Sequence, residues 1–224
     1  MFKYNIHTHT SEISPCGLIS AEKVVNLHKE AGYAGVVITD HFWPGYMIPR
    51  LKDGWNKLYT DFKLGYELAK AEGDKVGLDV IFGMELRFDE NANDYLVFGL
   101  PDEFVLKNEN LNQRTLAEFR GLTRDLDIVI IHAHPFRPWM TLMPPELIDG
   151  VEIYNGNTRH DNKSELVMQF ARRHNLIETS ASDFHELSDL NRGGILTRTR
   201  IPDAKELVKV LRSRDFELIP CGKT

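Results

Sequence analysis

The sequence predicts an α/β barrel, and three observations carry that expectation. β-Branched apolar stretches alternate with segments of helical periodicity along most of the chain, which is the pattern of a sheet covered by helices. Five of the strand-like stretches stop abruptly in His, Asp or Glu. A closed barrel opens all its strand C-termini on one face, so it can bring five such ends together; an open doubly wound sheet would struggle to do so. A chain of 224 residues accommodates about seven or eight strands.

The first strand carries Phe2, Tyr4 and Ile6 and ends in His7-Thr8-His9-Thr10, where alternation puts both imidazoles on one face. A polar loop over 11–19 holds the turn Pro15-Cys16-Gly17. Ser20 is placed to cap a helix over 21–31, with Val24, Leu27 and Ala31 on one face and Gly32 as its stop. The next strand, 35–39, leads into Asp40-His41. Residues 42–53, with aromatics and prolines, are expected as a loop long enough to act as a lid. A single helix is expected over 55–72, with Leu58, Phe62, Leu68 and Ala69 inward. The strand 79–85 then ends in Gly83-Met84-Glu85.

An acidic turn over 89–94 leads to a strand at 95–100. Asn112 is expected to cap a helix bearing Leu116, Phe119 and Leu122. Ile128 to Ile131 reads as a strand buried on both faces, followed by His132-Ala133-His134, whose two imidazoles alternate like the first pair, and by Pro135, which stops the strand. Strands at 150–154 and 176–180 flank a helix at 162–174, and the second leads to Ser182-Asp183-Phe184-His185. A helix at 204–212 and a strand at 216–219 finish the pattern. No repeat or compositional break divides the chain, so one domain over 1–224 is expected.

Composition narrows the function. At 42% hydrophobic and 27% charged, the chain has the make-up of a soluble domain, and it contains no 18-residue apolar run. His7 and His9 stand where the apolar core of a signal peptide would be. Two cysteines, Cys16 and Cys221, make no disulfide framework and fit a cytoplasmic protein. The formal charge of −6 argues against a general nucleic-acid binder. A small anionic substrate fits if bound divalent ions create a local positive pocket.

The strand-end residues therefore read as a polynuclear metal site with His7, His9, His41, Glu85, His134, Asp183 and His185 as ligands. Glu85 follows a mostly apolar strand, where a carboxylate is costly unless it bridges cations. Asp40 is expected to orient the His41 ring. Cys16 is either a soft ligand or an inert thiol, and His132 either supports a ligand, meets the substrate or serves as the leaving-group acid. Arg137, Arg159 and Arg192 follow site motifs and suit phosphoryl oxygens. Trp43, Tyr46, Phe136 and Trp139 either stack a substrate ring or only roof the site. His28 and His174 read as solvated helix-face residues.

The ordered motifs His7-Thr8-His9-Thr10, Thr39-Asp40-His41, Gly83-Met84-Glu85, Ala133-His134-Pro135 and Ser182-Asp183-Phe184-His185 resemble those of the polymerase and histidinol phosphatase (PHP) family. The resemblance implies a distorted (β/α)7 TIM-like barrel, two or three divalent ions (Zn, Mn or Fe) and hydrolysis of phosphate esters. It assigns His7, His9 and Asp183 to one metal, Glu85 as the bridge to a second bound by His134, and His41 with His185 to a third. Catalysis would then centre on Glu85, Asp183, His132 and Arg137, acting on a small phosphorylated metabolite. Two departures stand out. Ser14-Pro15-Cys16-Gly17 replaces a Cys-Pro-His-Gly turn, and the strand after Glu85 lacks the usual histidine, Asp94 being the nearest substitute. A phosphodiesterase, an amidohydrolase-type hydrolase and a catalytically silent metal-binding module are the competing readings.

Overall fold

The computed structural model describes residues 1–220; Cys221 and the Tyr46 side chain lie outside the described residues. The strands are β1 (Phe2–Thr8), β2 (Gly35–Ile38), β3 (His41–Phe42), β4 (Asp79–Arg87), β5 (Asp94–Phe98), β6 (Val129–His132), β7 (Gly150–Asn155), β8 (Ile177–Ala181), β9 (Gly194–Thr197) and β10 (Phe216–Ile219). The helices are α1 (Ala21–Glu30), α2 (Pro44–Met47), α3 (Trp55–Phe62), α4 (Leu64–Val76), α5 (Asp102–Lys107), α6 (Leu116–Thr123), α7 (Ser164–Arg173) and α8 (Ala204–Ser213).

The strands form one path, β10-β9-β1-β2-β4-β5-β6-β7-β8, with β3 paired to β4 beyond β2. Past β8 the chain returns to β1. Phe184 bridges Thr8, its carbonyl accepts from the His9 N–H at 3.0 Å, and its own N–H donates to the His7 carbonyl at 3.2 Å. Seven strands, β1, β2 and β4 to β8, thus make the distorted, nearly closed barrel, and β9 and β10 extend the β1 edge in antiparallel fashion.

Four features differ from the sequence expectation. The strand β5 runs antiparallel to both β4 and β6, because the link from Arg87 to Asp94 is a tight hairpin and too short for a crossover helix. The segment 42–53 carries β3, α2 and a 3-10 turn. The helix expected over 55–72 breaks at Lys63 into α3 and α4. That break sets Gly65 against the metal-side loop: a Cβ there would strike the Thr10 hydroxyl and come within 2.7 Å of Asp40 Oδ2. Thr115, not Asn112, caps α6, since Thr115 and Glu118 reciprocally satisfy backbone donors in a capping box.

Tyr4, Ile6, Val37, Ile81, Leu96, Phe98, Val129 and Ile131 pack in one apolar cluster. Their strand neighbours Met84, Tyr95, Val97, Ile130, Val151 and Ile153 belong to another, which α3, α6 and α7 cover. Alternation along each strand therefore feeds two apolar layers, and the polar residues gather where the strands end.

Candidate metal centre

Four of the expected ligands surround Glu85. His7 Nε2 stands 3.3 Å from Glu85 Oε1 and 3.3 Å from Asp183 Oδ1. His9 Nε2 is 3.4 Å from Glu85 Oε2 and 3.4 Å from the same Asp183 oxygen. His134 Nε2 is 3.3 Å from Glu85 Oε1, and His41 Nδ1 is 2.6 Å from Oε2. The His185 ring lies 4.1 Å from that of His9, and its Nδ1 is 3.3 Å from Asp183 Oδ1. Among the described residues, three overlapping groups have ligand atoms within 4.8 Å of one another: His9 with His41 and His185, His7 with His9 and Glu85, and His41 with Glu85 and Asp94.

Two of these ligands depend on unusual backbone. His134 takes φ +34° and Asp183 φ +51°, a left-handed region that such residues enter only when their surroundings hold them. The turn at His134 undoes the expected alternation with His132. His134 reaches Glu85, whereas His132 stays beside the Tyr95 ring at 5.1 Å and does not line the cavity over the cluster. Burial, with the charge of His134, lowers the His132 pKa to about 3.

A surrounding set of hydrogen bonds fixes which nitrogen each imidazole presents. Glu152 Oε1 lies 3.0 Å from His7 Nδ1; a carboxylate accepts, so Nδ1 carries the proton and Nε2 faces the cluster. Ser14 donates its hydroxyl proton to Asp40 at 2.7 Å, so its oxygen accepts from His9 Nδ1 at 3.1 Å. His185 Nδ1 donates to the Asp183 carbonyl at 2.8 Å. Asp40 therefore acts on His9 through Ser14, and on Thr10 directly, instead of holding the His41 ring as expected. Behind the cluster, Asn5 accepts from the Ser182 N–H and donates to the Ser182 hydroxyl, tying β1 to the Asp183 segment. His28, expected on a solvated face, is fully buried and accepts from the Asn5 amide through Nε2.

The cluster is built for positive charge. His7 Nε2, His9 Nε2, His41 Nδ1 and both Glu85 oxygens are buried without a hydrogen-bond partner. Such groups are costly unless something else satisfies them. Burial lowers the His7 pKa, but Asp183, Glu152 and Glu85 outweigh it and hold His7 well above the usual imidazole value. Glu85 does the same for His41 against burial. Burial likewise opposes ionisation of Glu85 and Asp183, yet neighbouring imidazoles keep both well below the ordinary carboxylate range. Orphaned nitrogen and oxygen donors around buried carboxylates fit divalent cations of the first transition row.

The remaining expected residues are placed as follows. Cys16 lines the cavity from its exposed turn; partial burial pushes its thiol up, and hydrogen bonding to His185 and His41 brings it down to about 6. Arg137 is buried and committed, with Nη2 on Asp183 at 3.0 Å and on Asn155 at 3.1 Å. Arg159 lines the cavity but is gripped by Glu186 and Asp189. Arg192 lies outside the cavity lining, its Nε donating to the Ser188 carbonyl. Asp94 accepts from Arg87 at 2.8 and 2.7 Å. Sequence reasoning missed Glu152, Ser14, Asn155 and Arg87. Glu152 left a readable signal, an acid between Val151 and Ile153 in a short apolar strand.

A barrel that gathers histidines and carboxylates at one mouth, with donor atoms of His7, His9, His41 and Glu85 unpartnered, has the donor set of a metal-binding protein. The PHP domain family matches residues 5–213, and the chain belongs to that family. Among solved structures, the chain is similar to a two-domain protein from Bacteroides vulgatus that contains a predicted PHP-like metal-dependent phosphoesterase. There the TM-score is 0.72 at 17% identity, over 98% of this chain and 65% of that one. PsfC from Pseudomonas syringae gives a TM-score of 0.69 at 14% identity, covering 98% and 92% of the two chains. An amidohydrolase from Chromobacterium violaceum, with bound sulfate and no metal, gives 0.55 at 13% identity over 98% of each. These likenesses concern the fold. No curated protein matches. Among the described residues, no helix is long and apolar enough to cross a membrane.

Proposed function

We propose that the protein is a metal-dependent phosphomonoesterase acting on a small phosphorylated metabolite in the cytoplasm. The observation that carries this reading is the set of buried, unpartnered donor atoms on His7, His9, His41 and Glu85, with Asp183 against two of those rings. His7, His9, Glu85 and Asp183 would hold one ion, Glu85 with His134 a second, and His41 with His185 and Cys16 a third. Bound divalent ions lower the pKa of water and neutralise charge on phosphoryl oxygens.

The protein's own residues do the positioning. Glu152 and the Asp40–Ser14 pair hold His7 and His9 with Nε2 forward. Arg137, Asn155 and Asn157 donate to Asp183 Oδ2, leaving Oδ1 toward His7 and His9. The cavity over the cluster has a volume of about 350 Å³, a size for a small metabolite. The sulfate in the Chromobacterium amidohydrolase has the charge and tetrahedral shape of phosphate.

The test is hydrolysis of p-nitrophenyl phosphate and bis-p-nitrophenyl phosphate before chelation, after it, and after metal return. Chelator-sensitive monoester turnover, lost in Glu85→Ala, supports the reading. Turnover of the diester alone would move it to a phosphodiesterase, and turnover of neither, with metal bound, to an amidohydrolase-type enzyme or a silent metal-binding module.

A further inference from the structure

The cavity over the cluster has a charged floor and an apolar flank, and the two are engaged differently. Each guanidinium that lines it is already paired: Arg87 with Asp94, Arg137 with Asp183, and Arg159 with Asp189 and Glu186. Carboxylates already offset the charge of each, so a second anionic group on the substrate would gain little there. The aromatic residues divide as well. Trp43 is occupied by the protein, with His41 stacked at 4.6 Å and the Arg87 guanidinium 4.5 Å from its ring. Phe136 packs on Phe170. Trp139 lines the cavity, is 48% exposed, and meets His160 at 5.0 Å and 83°. That edge contact uses at most one indole face.

We propose that Trp139 is the stacking platform for the leaving group. The preferred substrate is then a phosphate monoester of a flat, uncharged ring, aryl or heteroaryl. This rests on the phosphomonoesterase reading. An indole face held at the rim gains most from another π-system, whereas a flexible polyol gains little. In the reaction, water oxygen bonds to phosphorus as the bond from phosphorus to the ring oxygen breaks. The ring oxygen leaves with a proton, giving inorganic phosphate and a hydroxylated ring.

The experiment uses the metal-loaded protein with phenylphosphonate and methylphosphonate in binding calorimetry, and phenyl phosphate and ethyl phosphate in turnover. Phenylphosphonate should bind about tenfold more tightly than methylphosphonate, as one aromatic pair allows. Trp139→Ala should erase that ratio and Trp139→Phe should keep it. The kcat/KM for phenyl phosphate relative to ethyl phosphate should fall by a similar factor in Trp139→Ala. A ring preference that survives Trp139→Ala, or equal binding of the two phosphonates by the native protein, overturns the proposal even if both esters are hydrolysed. A Trp139-dependent preference for phenylphosphonate with no ester turnover upholds the ring site and overturns the phosphomonoesterase reading.

Discussion

The two ends of the barrel bury polar groups in opposite ways. At the N-terminal end, the Tyr4 hydroxyl donates to Asp79 at 3.0 Å and accepts from the Ile201 N–H at 2.8 Å, while Arg200 holds both Asp79 oxygens. That network is closed. At the C-terminal end, both Glu85 oxygens and the facing nitrogens of His7, His9 and His41 have no hydrogen-bond partner. Since nearly all buried polar groups in folded proteins are satisfied, the first end is a clamp and the second a receptor. The contrast also explains why the same strand, β4, starts with a structural acid and ends with a binding one.

The sharpest way to break this comparison is to remove one acid at each end. Glu85→Gln should lower turnover by on the order of 10²–10³-fold. It should also remove bound metal, since an amide brings no negative charge to cations held by neutral imidazoles. Asp79→Ala should do the reverse, costing about 1–3 kcal/mol in denaturant unfolding through the stranded Tyr4 hydroxyl. Its metal content should not change. Equal effects of the two substitutions on metal content would erase the distinction.

Smaller changes probe the supports. Ser14→Ala removes the acceptor for His9 Nδ1 and Glu152→Ala the acceptor for His7 Nδ1, and each should weaken metal binding by about 10–100-fold in calorimetry. Unchanged affinity in both would mean that the His7 and His9 tautomers are held by something else.

The smallest expected effect is a pH dependence set by His28. Burial lowers its pKa from 6.5 to about 4, so the folded state binds fewer protons than the unfolded state between those values. Its stabilisation is complete above pH 6.5 and is lost as pH falls toward 4. In metal-free protein His28 should contribute a loss on the order of 1–2 kcal/mol between pH 7 and 5, beside those of the other buried imidazoles, and His28→Gln should remove that share of the slope. Superimposable slopes would show that His28 does not stay neutral in the fold.

Much of the barrel could be read from the chain because strand alternation and abrupt polar stops are local signals. The runs ending at His9, His41, Glu85 and His185 needed no knowledge of their neighbours. What escaped depends on distant pairing or backbone detail. The direction of β5 is set by a hairpin that looks like any acidic turn. The split at Lys63 depends on Gly65 fitting beneath Asp40, a contact across separate elements. The parting of His132 from His134 follows from one left-handed residue, which a period of two cannot reveal. Arg137 looked like a free phosphate ligand because its partners, Asn155 and Asp183, lie far along the chain.

The most direct measurement is the metal content of protein purified without chelators, by inductively coupled plasma mass spectrometry, repeated after stripping and metal return. A metal centre built from these residues predicts two or three divalent ions per chain, removed by chelation and recovered on return. Protein that carries none and takes up none would contradict it.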